Sequence, residues 1–264
     1  CQLVCQAGAD YVDSYGKWME ANGLSSDFVN IAAEQCTQHI LTHKADGTYD
    51  FSSRFGLEAL GYLKTRPEDI EKALTPDVRG IYMAQNIDKV YWKKISRLKE
   101  KYGFKFMWEL EFKPQHLTDK EWLSAVKDVI GNADMWSLNS NEASMLFGIP
   151  KENEEDLISE IMKMPVEMTL FRVGKKGAYA VSQSTAIFCP SIDIEKSVDP
   201  TGCGNCSTGA AMYAHTAGYS LKEVVIMANI AAGYNAAQYG PYMNYTDEVM
   251  KNAHKLREKY LAEI

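Results

Sequence analysis

The chain has 264 residues, of which 46% are hydrophobic and 24% are charged, and its formal net charge is −7. A chain of this length can bury a substantial core, and we expect one domain over residues 1–264. The acidic balance, without a dense block of Lys and Arg, argues against a nucleic-acid interface.

Apolar runs in the sequence are too short to span a bilayer, and no leader pattern opens the chain. We therefore expect a cytoplasmic protein that has no membrane contact and acts on a small molecule. Six cysteines in a chain of this length are too sparse for a disulfide scaffold. Reduced thiols are the expectation.

The first third of the chain predicts a small set of elements. Residues 2–7 form an apolar stretch typical of a strand inside a sheet, and residues 13–22 predict a helix that ends before Gly23. Over residues 29–55, β-branched and aromatic side chains alternate loosely with polar ones around Asp46-Gly47, a dipeptide that favours hairpin turns. We expect a small antiparallel β segment there.

After Arg66-Pro67, predicted strands and helices alternate, which indicates parallel βαβ units. The predicted strands are 80–83, 105–109, 135–138 and 168–173, with a hairpin from 178–181 and 185–189. The predicted helices include 89–102, 119–130, 205–217, 221–238 and 246–261.

A glycine-rich turn, D-P-T-G-C-G-N over residues 199–205, precedes a helix of small residues. Gly202 and Gly204 allow backbone N–H groups to converge, and the helix N-terminus adds its positive end, which stabilises an anion. Phosphoryl transfer spreads negative charge over oxygens that such donors stabilise. On spacing alone, an ordinary helix-capping loop fits equally well.

The turn resembles the D-T-x-G-A-G-D signature of ribokinase-type (PfkB) carbohydrate kinases, with Pro200, Cys203 and Asn205 as departures. Other segments resemble family landmarks in the expected order. They are the N-x-x-E element within 137–143, a strand and glycine turn beside the nucleotide at 170–178, the helix flanking the adenine at 228–232, and a G-x-D at 8–10.

The resemblance implies an α/β fold, a ribokinase-like three-layer α/β/α sandwich with a mainly parallel central sheet and a small β lid at about 29–55. In the family such a lid often pairs two subunits, so a homodimer is expected. The family's initial strand and glycine-glycine segment, which supply much of the sugar contact, have no counterpart here, so the N-terminal strand region is expected to be missing.

The resemblance also implies roles for individual residues in an ATP- and Mg²⁺-dependent kinase that acts on a sugar or nucleoside. Gly202, Cys203 and Gly204 would hold the transferring phosphoryl group, and Asn205 would orient the acceptor hydroxyl. Nucleotide contacts are expected from Asn139, Glu142, Gly174, Lys175, Gly177, Thr201 and Asn229. Asp199 and Glu142 are the expected metal residues. Asp199 and Thr201, with backbone near Ala236 and Gly240, resemble a loop for a potassium activator.

Two acidic residues are candidates for the substrate site. Asp10 lies in the G-x-D segment, and Glu109 ends a predicted strand, where ligands of open α/β sheets collect. Each candidate has a structural alternative. Asn139 could cap a helix, Glu142 could be a solvated acid in the first turn of that helix, and Gly174 could simply turn a strand. Asp10 could be a helix cap or a loop acid, and Glu109 could be a solvated or paired acid.

Asn205 stands where the resemblance places the aspartate that takes the proton of the acceptor hydroxyl. An amide does not accept that proton, and general-base assistance is typically worth about 10²–10⁴-fold. Two hypotheses follow, a slow kinase in which a nearby carboxylate or water relays the proton, and a catalytically silent protein that binds nucleotide or sugar. A third is a redox or metal protein using the C-x-x-C of Cys203 and Cys206.

Overall fold

A computed structural model describes residues 1–44, 49–55, 63–84, 87–110, 117–241 and 246–264. These residues divide into two compact units, Cys1–Thr75 and Pro76–Ile264.

The Cys1–Thr75 unit starts with a parallel strand pair. β1 (Cys5–Gly8) is followed by a π-helical turn (Val12–Gly16), helix α1 (Lys17–Ala21) and β2 (Val29–Ala33), and Cys5 lies opposite Val29. The helical crossover returns the chain in the same direction, which makes the pair parallel. The prediction of antiparallel structure over 29–55 is therefore wrong for β2.

Antiparallel pairing occurs in the rest of that segment. β3 (Gln38–His43) pairs with β4 (Tyr49–Phe55), and the predicted Asp46-Gly47 turn lies outside the described residues. Helix α2 (Pro67–Ala73), which the sequence pattern did not predict, begins with a proline at its first helical position.

The Pro76–Ile264 unit contains strands and helices in near alternation. Its strands are β5 (Gly80–Ala84), β6 (Lys105–Glu109), β7 (Met135–Asn139), β8 (Met168–Arg172), β9 (Gly177–Val181) and β10 (Ala186–Pro190). Its helices are α3 (Lys89–Tyr102), α4 (Asp119–Ile130), α5 (Ser140–Phe147), α6 (Glu154–Ile161), α7 (Cys203–Thr216), α8 (Leu221–Ala236) and α9 (Asp247–Glu263), and a 3₁₀ turn spans Gly174–Lys176.

The six strands of this unit form one sheet in the order β10-β9-β8-β7-β6-β5. The pairs among β5, β6, β7 and β8 are parallel, whereas β8 with β9 and β9 with β10 are antiparallel. The predicted βαβ units and the predicted hairpin are confirmed.

Helices cover both faces of the sheet, as residues on β6 show. Trp92 of α3 stacks on Phe106 and contacts Trp108 edge-on, whereas Met107 between them packs in a cluster with residues of α7 and α8. Successive side chains of a strand point to opposite faces. The unit is therefore a three-layer α/β/α sandwich with two buried apolar interfaces.

Helix boundaries follow local signals. α3 ends at Gly103, whose φ of 75° is the left-handed conformation of a helix C-terminus, and α4 and α8 begin with capping boxes at Thr118 and Ser220. α7 begins at Cys203, two residues before its predicted first residue, Asn205. Gly202, which has a left-handed conformation, is the last residue of the preceding turn. Within the described ranges, no helix has the length and apolar character needed to cross a bilayer.

Candidate active site

The site is built around the first turn of α7. Gly202 precedes the helix with φ 85°, and the amide of Cys203 donates to the Pro200 carbonyl at 3.1 Å. The amides of Gly204 and Asn205 make no hydrogen bond with any residue that the structure describes. Free N–H groups at a helix N-terminus attract anions because the helix dipole adds to their partial charges.

Side chains fix the conformation of this turn. The amide of Thr201 donates to the Asp199 carboxylate at 2.9 Å, and Asn235 donates to the Thr201 carbonyl at 2.7 Å. The amides of Val198 and Asp199 both donate to the Ala236 carbonyl. The turn is therefore held against the C-terminal end of α8 before any ligand binds.

A buried hydroxyl pair connects the sheet to the same turn. Thr208 donates to the Gly204 carbonyl at 2.8 Å, and the hydroxyls of Ser137 and Thr208 lie 2.8 Å apart. Both residues are fully buried. With the Thr208 hydrogen used on Gly204, Ser137 donates to Thr208, and β7 sets the position of Gly204.

Charged side chains converge beside Gly204 at the ends of β6 and β8. Arg172 Nη2 lies 2.7 Å from Glu109 Oε1 and 3.7 Å from Glu142 Oε2. The Arg172 and Glu109 side chains are only 13% and 11% exposed. A Cβ at Gly204 would overlap Arg172 Nη1, so only glycine lets the helix approach the guanidinium this closely.

Asn205 joins this cluster through its side-chain amide. Its Nδ2 lies 3.0 Å from the Tyr82 hydroxyl and 3.4 Å from Glu109 Oε2, and the Tyr82 hydroxyl donates to Glu109 Oε2. Burial, followed by the charge of Glu109, raises the pKa of Tyr82 far above its ordinary value, so the phenol stays protonated.

Asn139 and Glu142 form a capping box at the start of α5. Asn139 accepts from the amides of Asn141 and Glu142, and Glu142 Oε2 accepts from the Asn139 amide at 2.6 Å. The capping alternative for Asn139 is thus observed. Burial raises the pKa of Glu142, and the Arg172 guanidinium opposes the rise. Glu142 is therefore not a solvated acid.

The Glu142 carboxylate has one oxygen available for a ligand. Its Oε1 makes no hydrogen bond to a described residue, and Mg²⁺ at phosphate-binding sites is held by one or two carboxylates together with phosphates and water. No group of three or more His, Cys, Asp or Glu placed to hold a metal occurs in the described part of the chain.

Four other predicted nucleotide residues lie around β8, β9 and β10, whereas Thr201 lies in the turn before α7. Gly174 has φ 62°, Gly177 has φ 131° with backbone of Cys189 where its Cβ would lie, and Lys175 between them is exposed. Asn229 is buried and donates to the carbonyls of Cys189 and Pro190 at 2.8 and 3.1 Å. In this structure the Asn229 side chain ties α8 to the end of β10.

Asp10 lies in the Cys1–Thr75 unit. Its carboxylate accepts from the Cys36 amide at 2.7 Å, and the Gly8 amide contacts Cys36 Sγ at 3.1 Å. A Cβ at Gly8 would overlap the backbone of Gln35 and Cys36. The G-x-D segment therefore packs closely on the chain that follows β2.

The thiols of Cys203 and Cys206 lie in the first turn of α7. Cys203 Sγ contacts the Ala232 carbonyl at 3.4 Å, and Cys206 Sγ contacts Asn235 Oδ1 at 3.3 Å. Burial raises the pKa of both thiols, that of Cys206 to about 11. Neither environment favours the thiolate that redox and metal chemistry require.

Sequence reasoning missed Arg172, Tyr82 and the pair Ser137–Thr208 as parts of the site. A charged residue at the end of an otherwise apolar strand was the available signal for Arg172, because strand ends of an α/β sheet adjoin ligands. Tyr82 carried no local signal. Its role depends on a contact with Asn205, 123 positions away in the sequence.

A family model for the pfkB family carbohydrate kinases matches residues 1–247. The chain belongs to the PfkB family. A search of curated proteins found no match.

Solved structures described as nucleoside, adenosine and ribokinase-type kinases resemble this chain in fold. The PfkB chain superposes on Burkholderia thailandensis nucleoside kinase in complex with inosine with a TM-score of 0.69 and 18% identity, over 96% of this chain and 80% of that one. A candidate ribokinase II from E. coli in complex with ATP and Mg²⁺ gives 0.73 and 20%, over 100% and 83%. Adenosine kinase from Sinorhizobium meliloti gives 0.72 and 17%, over 95% and 76%. At these identities the likeness establishes the ribokinase-like fold.

Proposed function

We propose that this PfkB protein is an ATP-dependent kinase that phosphorylates a hydroxyl group of a sugar or nucleoside. The observation that carries the proposal is the start of α7, where the amides of Gly204 and Asn205 have no partner among the described residues and where Gly204 packs against the Arg172 guanidinium. A phosphoryl group in transfer needs such preorganised donors because its charge spreads over three equatorial oxygens.

The turn residues Gly202, Cys203 and Gly204 would hold the transferring group. The Cys203 amide is already used by Pro200, so we assign the N–H donors to Gly204 and Asn205 and a spacing role to Gly202 and Cys203. Asn205 would orient the acceptor hydroxyl through its amide. Asp10 and Glu109 are the proposed acidic residues toward the substrate.

ATP is supported by the E. coli neighbour, which was solved with ATP and Mg²⁺. We assign the nucleotide side of the site to Asn139, Glu142, Gly174, Lys175, Gly177, Thr201 and Asn229. Glu142 and Asp199 would hold Mg²⁺, which neutralises phosphate charge when bound. Asp199 and Thr201 would also line the proposed potassium loop.

The family and the named neighbours support a sugar or a nucleoside as the acceptor. Three neighbours are described as nucleoside, adenosine and aminoimidazole riboside kinases, and the substrates in these descriptions contain a ribose-type sugar. We therefore place nucleosides and simple sugars first in a substrate screen.

The test is ATP consumption by the purified chain with Mg²⁺ and K⁺ against a panel of sugars and nucleosides, with mass spectrometry of the product. We expect ADP release that depends on one acceptor and a product heavier by one phosphoryl group. No ADP release with any acceptor contradicts the kinase assignment.

The presence of Asn at position 205 also supports a second candidate function, that of a catalytically silent protein that binds nucleotide or sugar. Loss of a general base slows the reaction by about 10²–10⁴-fold, which can abolish useful turnover. Calorimetry that finds nucleotide binding in a protein without turnover supports this second function.

A further inference from the structure

The carboxylate nearest to Asn205 belongs to Glu109. Asn205 Nδ2 lies 3.4 Å from Glu109 Oε2 and 3.0 Å from the Tyr82 hydroxyl. A carboxylate only accepts hydrogen bonds, so the NH₂ side of the Asn205 amide must face Glu109. Asn205 therefore positions the Glu109 carboxylate, which lies deeper in the site than Asn205 does.

Glu109 is oriented by three residues from three elements. Arg172 of β8 binds Oε1, while Tyr82 of β5 and Asn205 of α7 donate to Oε2. Glu142 of α5 is the other acid whose charge acts on this cluster, through the shared Arg172. Asn205 itself is exposed, whereas Glu109 is buried, so a ligand reaches the cluster from the Asn205 and Tyr82 side.

We propose that Glu109 is the general base of the kinase reaction and that the Tyr82 hydroxyl carries the proton to it. The proposal rests on the kinase function proposed above. As the acceptor oxygen bonds to the γ-phosphorus of ATP and the bond to the bridging oxygen breaks to release ADP, the acceptor proton passes to the Tyr82 oxygen. The Tyr82 proton passes to Glu109 Oε2 at the same time. Tyr82 is unchanged overall, and Glu109 later returns its proton to solvent.

The relay needs a neutral phenol and a base that begins as a carboxylate. The raised pKa of Tyr82 keeps the phenol protonated at every physiological pH. The Arg172 guanidinium compensates the negative charge of Glu109 before the proton arrives. Asn205 then replaces only the positioning function of the family aspartate, and Glu109 supplies the basicity.

The experiment moves the carboxylate from position 109 to position 205. We expect E109Q to lower kcat by about 10²–10³-fold with less than about 3-fold change in either KM, since a general base is worth about 10²–10⁴-fold. The double variant N205D/E109Q should recover kcat to within about 10-fold of the unmodified protein. Tyr82→Phe should lower kcat without changing nucleotide affinity measured by calorimetry.

A control and two further readouts separate catalysis from structure. E160Q makes the same chemical change in an exposed ion pair with Lys163 and should leave kcat unchanged. Circular dichroism must show E109Q folded. The pH profile of kcat should also differ between the unmodified protein and E109Q, because only the unmodified protein carries an acid at position 109.

Each outcome decides the proposal. E109Q with kcat equal to that of E160Q overturns the role of Glu109 and leaves the kinase function standing. A folded N205D/E109Q that is no more active than E109Q shows that Glu109 acts only through its ion pair and also overturns it. No turnover by the unmodified protein with any acceptor removes the kinase function and this inference together.

Discussion

Arg172 and Gly204 exclude any side chain between them, because Arg172 Nη1 occupies the place of a Cβ at position 204 and Arg172 Cζ lies 3.3 Å from it. The same guanidinium pairs with Glu109 at 2.7 Å. A change at Gly204 must therefore move the charged cluster or the start of α7.

We predict that G204A lowers kcat by about 10²-fold, the cost of losing one aligned donor in such a site. The control is G209A in the same helix, where a Cβ meets no heavy atom within 4 Å. G209A should keep its activity and gain about 0.5–1 kcal/mol in free energy of unfolding, since Ala is favoured over Gly in helices. Steady-state kinetics and urea unfolding of both variants check this, and equal activities would contradict it.

We predict that substitutions of Ser137 and Thr208 have non-additive effects on the free energy of unfolding, because their hydroxyls form a buried pair. T208V leaves the buried Ser137 hydroxyl without its partner, whereas the Gly204 carbonyl keeps the hydrogen bond from Ser207, and we expect a loss of about 1–3 kcal/mol. S137A/T208V should cost less than the sum of the two single changes, because no buried hydroxyl is then left unpaired. Urea unfolding of the four proteins measures the coupling, and additive losses would show that the pair is not coupled.

Asp69 predicts acid sensitivity of the Cys1–Thr75 unit. The side chain is 1% exposed and accepts from Arg66 at 2.8 and 3.0 Å and from Gln6 at 2.7 Å. The hydrogen bond from Arg66 lowers the pKa of Asp69 below its ordinary value of 3.8. Its stabilisation is therefore present above about pH 4 and is lost as the pH falls through the lowered pKa.

We expect D69N to lower the protection of amides in this unit by about 1–3 kcal/mol at pH 7, as for other charged hydrogen bonds. D13N is the matched control, because the Asp13–Lys17 pair is exposed, and it should change protection by less than about 0.5 kcal/mol. Hydrogen exchange at pH 7 and pH 3 compares the variants. Similar protection in D69N and D13N would refute the role of Asp69.

We predict that the Cys206 thiol of the C-x-x-C reacts slowly with alkylating reagents. With its pKa raised to about 11 from 9.0, Cys206 holds about 100-fold less thiolate at pH 7.5 than an ordinary thiol. We expect iodoacetamide to label the exposed Cys1 long before Cys206, and both equally after denaturation. Peptide mass spectrometry follows each site. Rapid labelling of Cys206 in the folded protein would revive the redox hypothesis.

Local signals predicted much of the Pro76–Ile264 unit. Predicted bounds for α3, β6 and α4 coincide with the observed Lys89–Tyr102, Lys105–Glu109 and Asp119–Ile130. Apolar periodicity set the interiors of these elements, and Gly103 and Thr118 set their ends. Signals of this kind depend only on a few neighbouring residues, so they can be read from the sequence without knowledge of the fold.

Pairing and side-chain convergence were harder to predict because they depend on residues far apart in the chain. The parallel pairing of β2 with β1 follows from the crossover between them, which residues 29–33 do not encode. Likewise Glu109 was a candidate from its strand end, but the Arg172 and Tyr82 contacts come from β8 and β5. The glycine turn was found because one contiguous segment contains it.

The amide at position 205 also affects how much negative charge lies in the buried cluster around Glu109. An aspartate there, with Glu109 retained, would bring two carboxylates to within about the 3.4 Å that now separates Nδ2 from Oε2, and one of them would have to remain protonated. The uncharged Asn205 amide instead lies beside Glu109 without adding a second negative charge to the buried cluster, and it donates a hydrogen bond where a second carboxylate would repel.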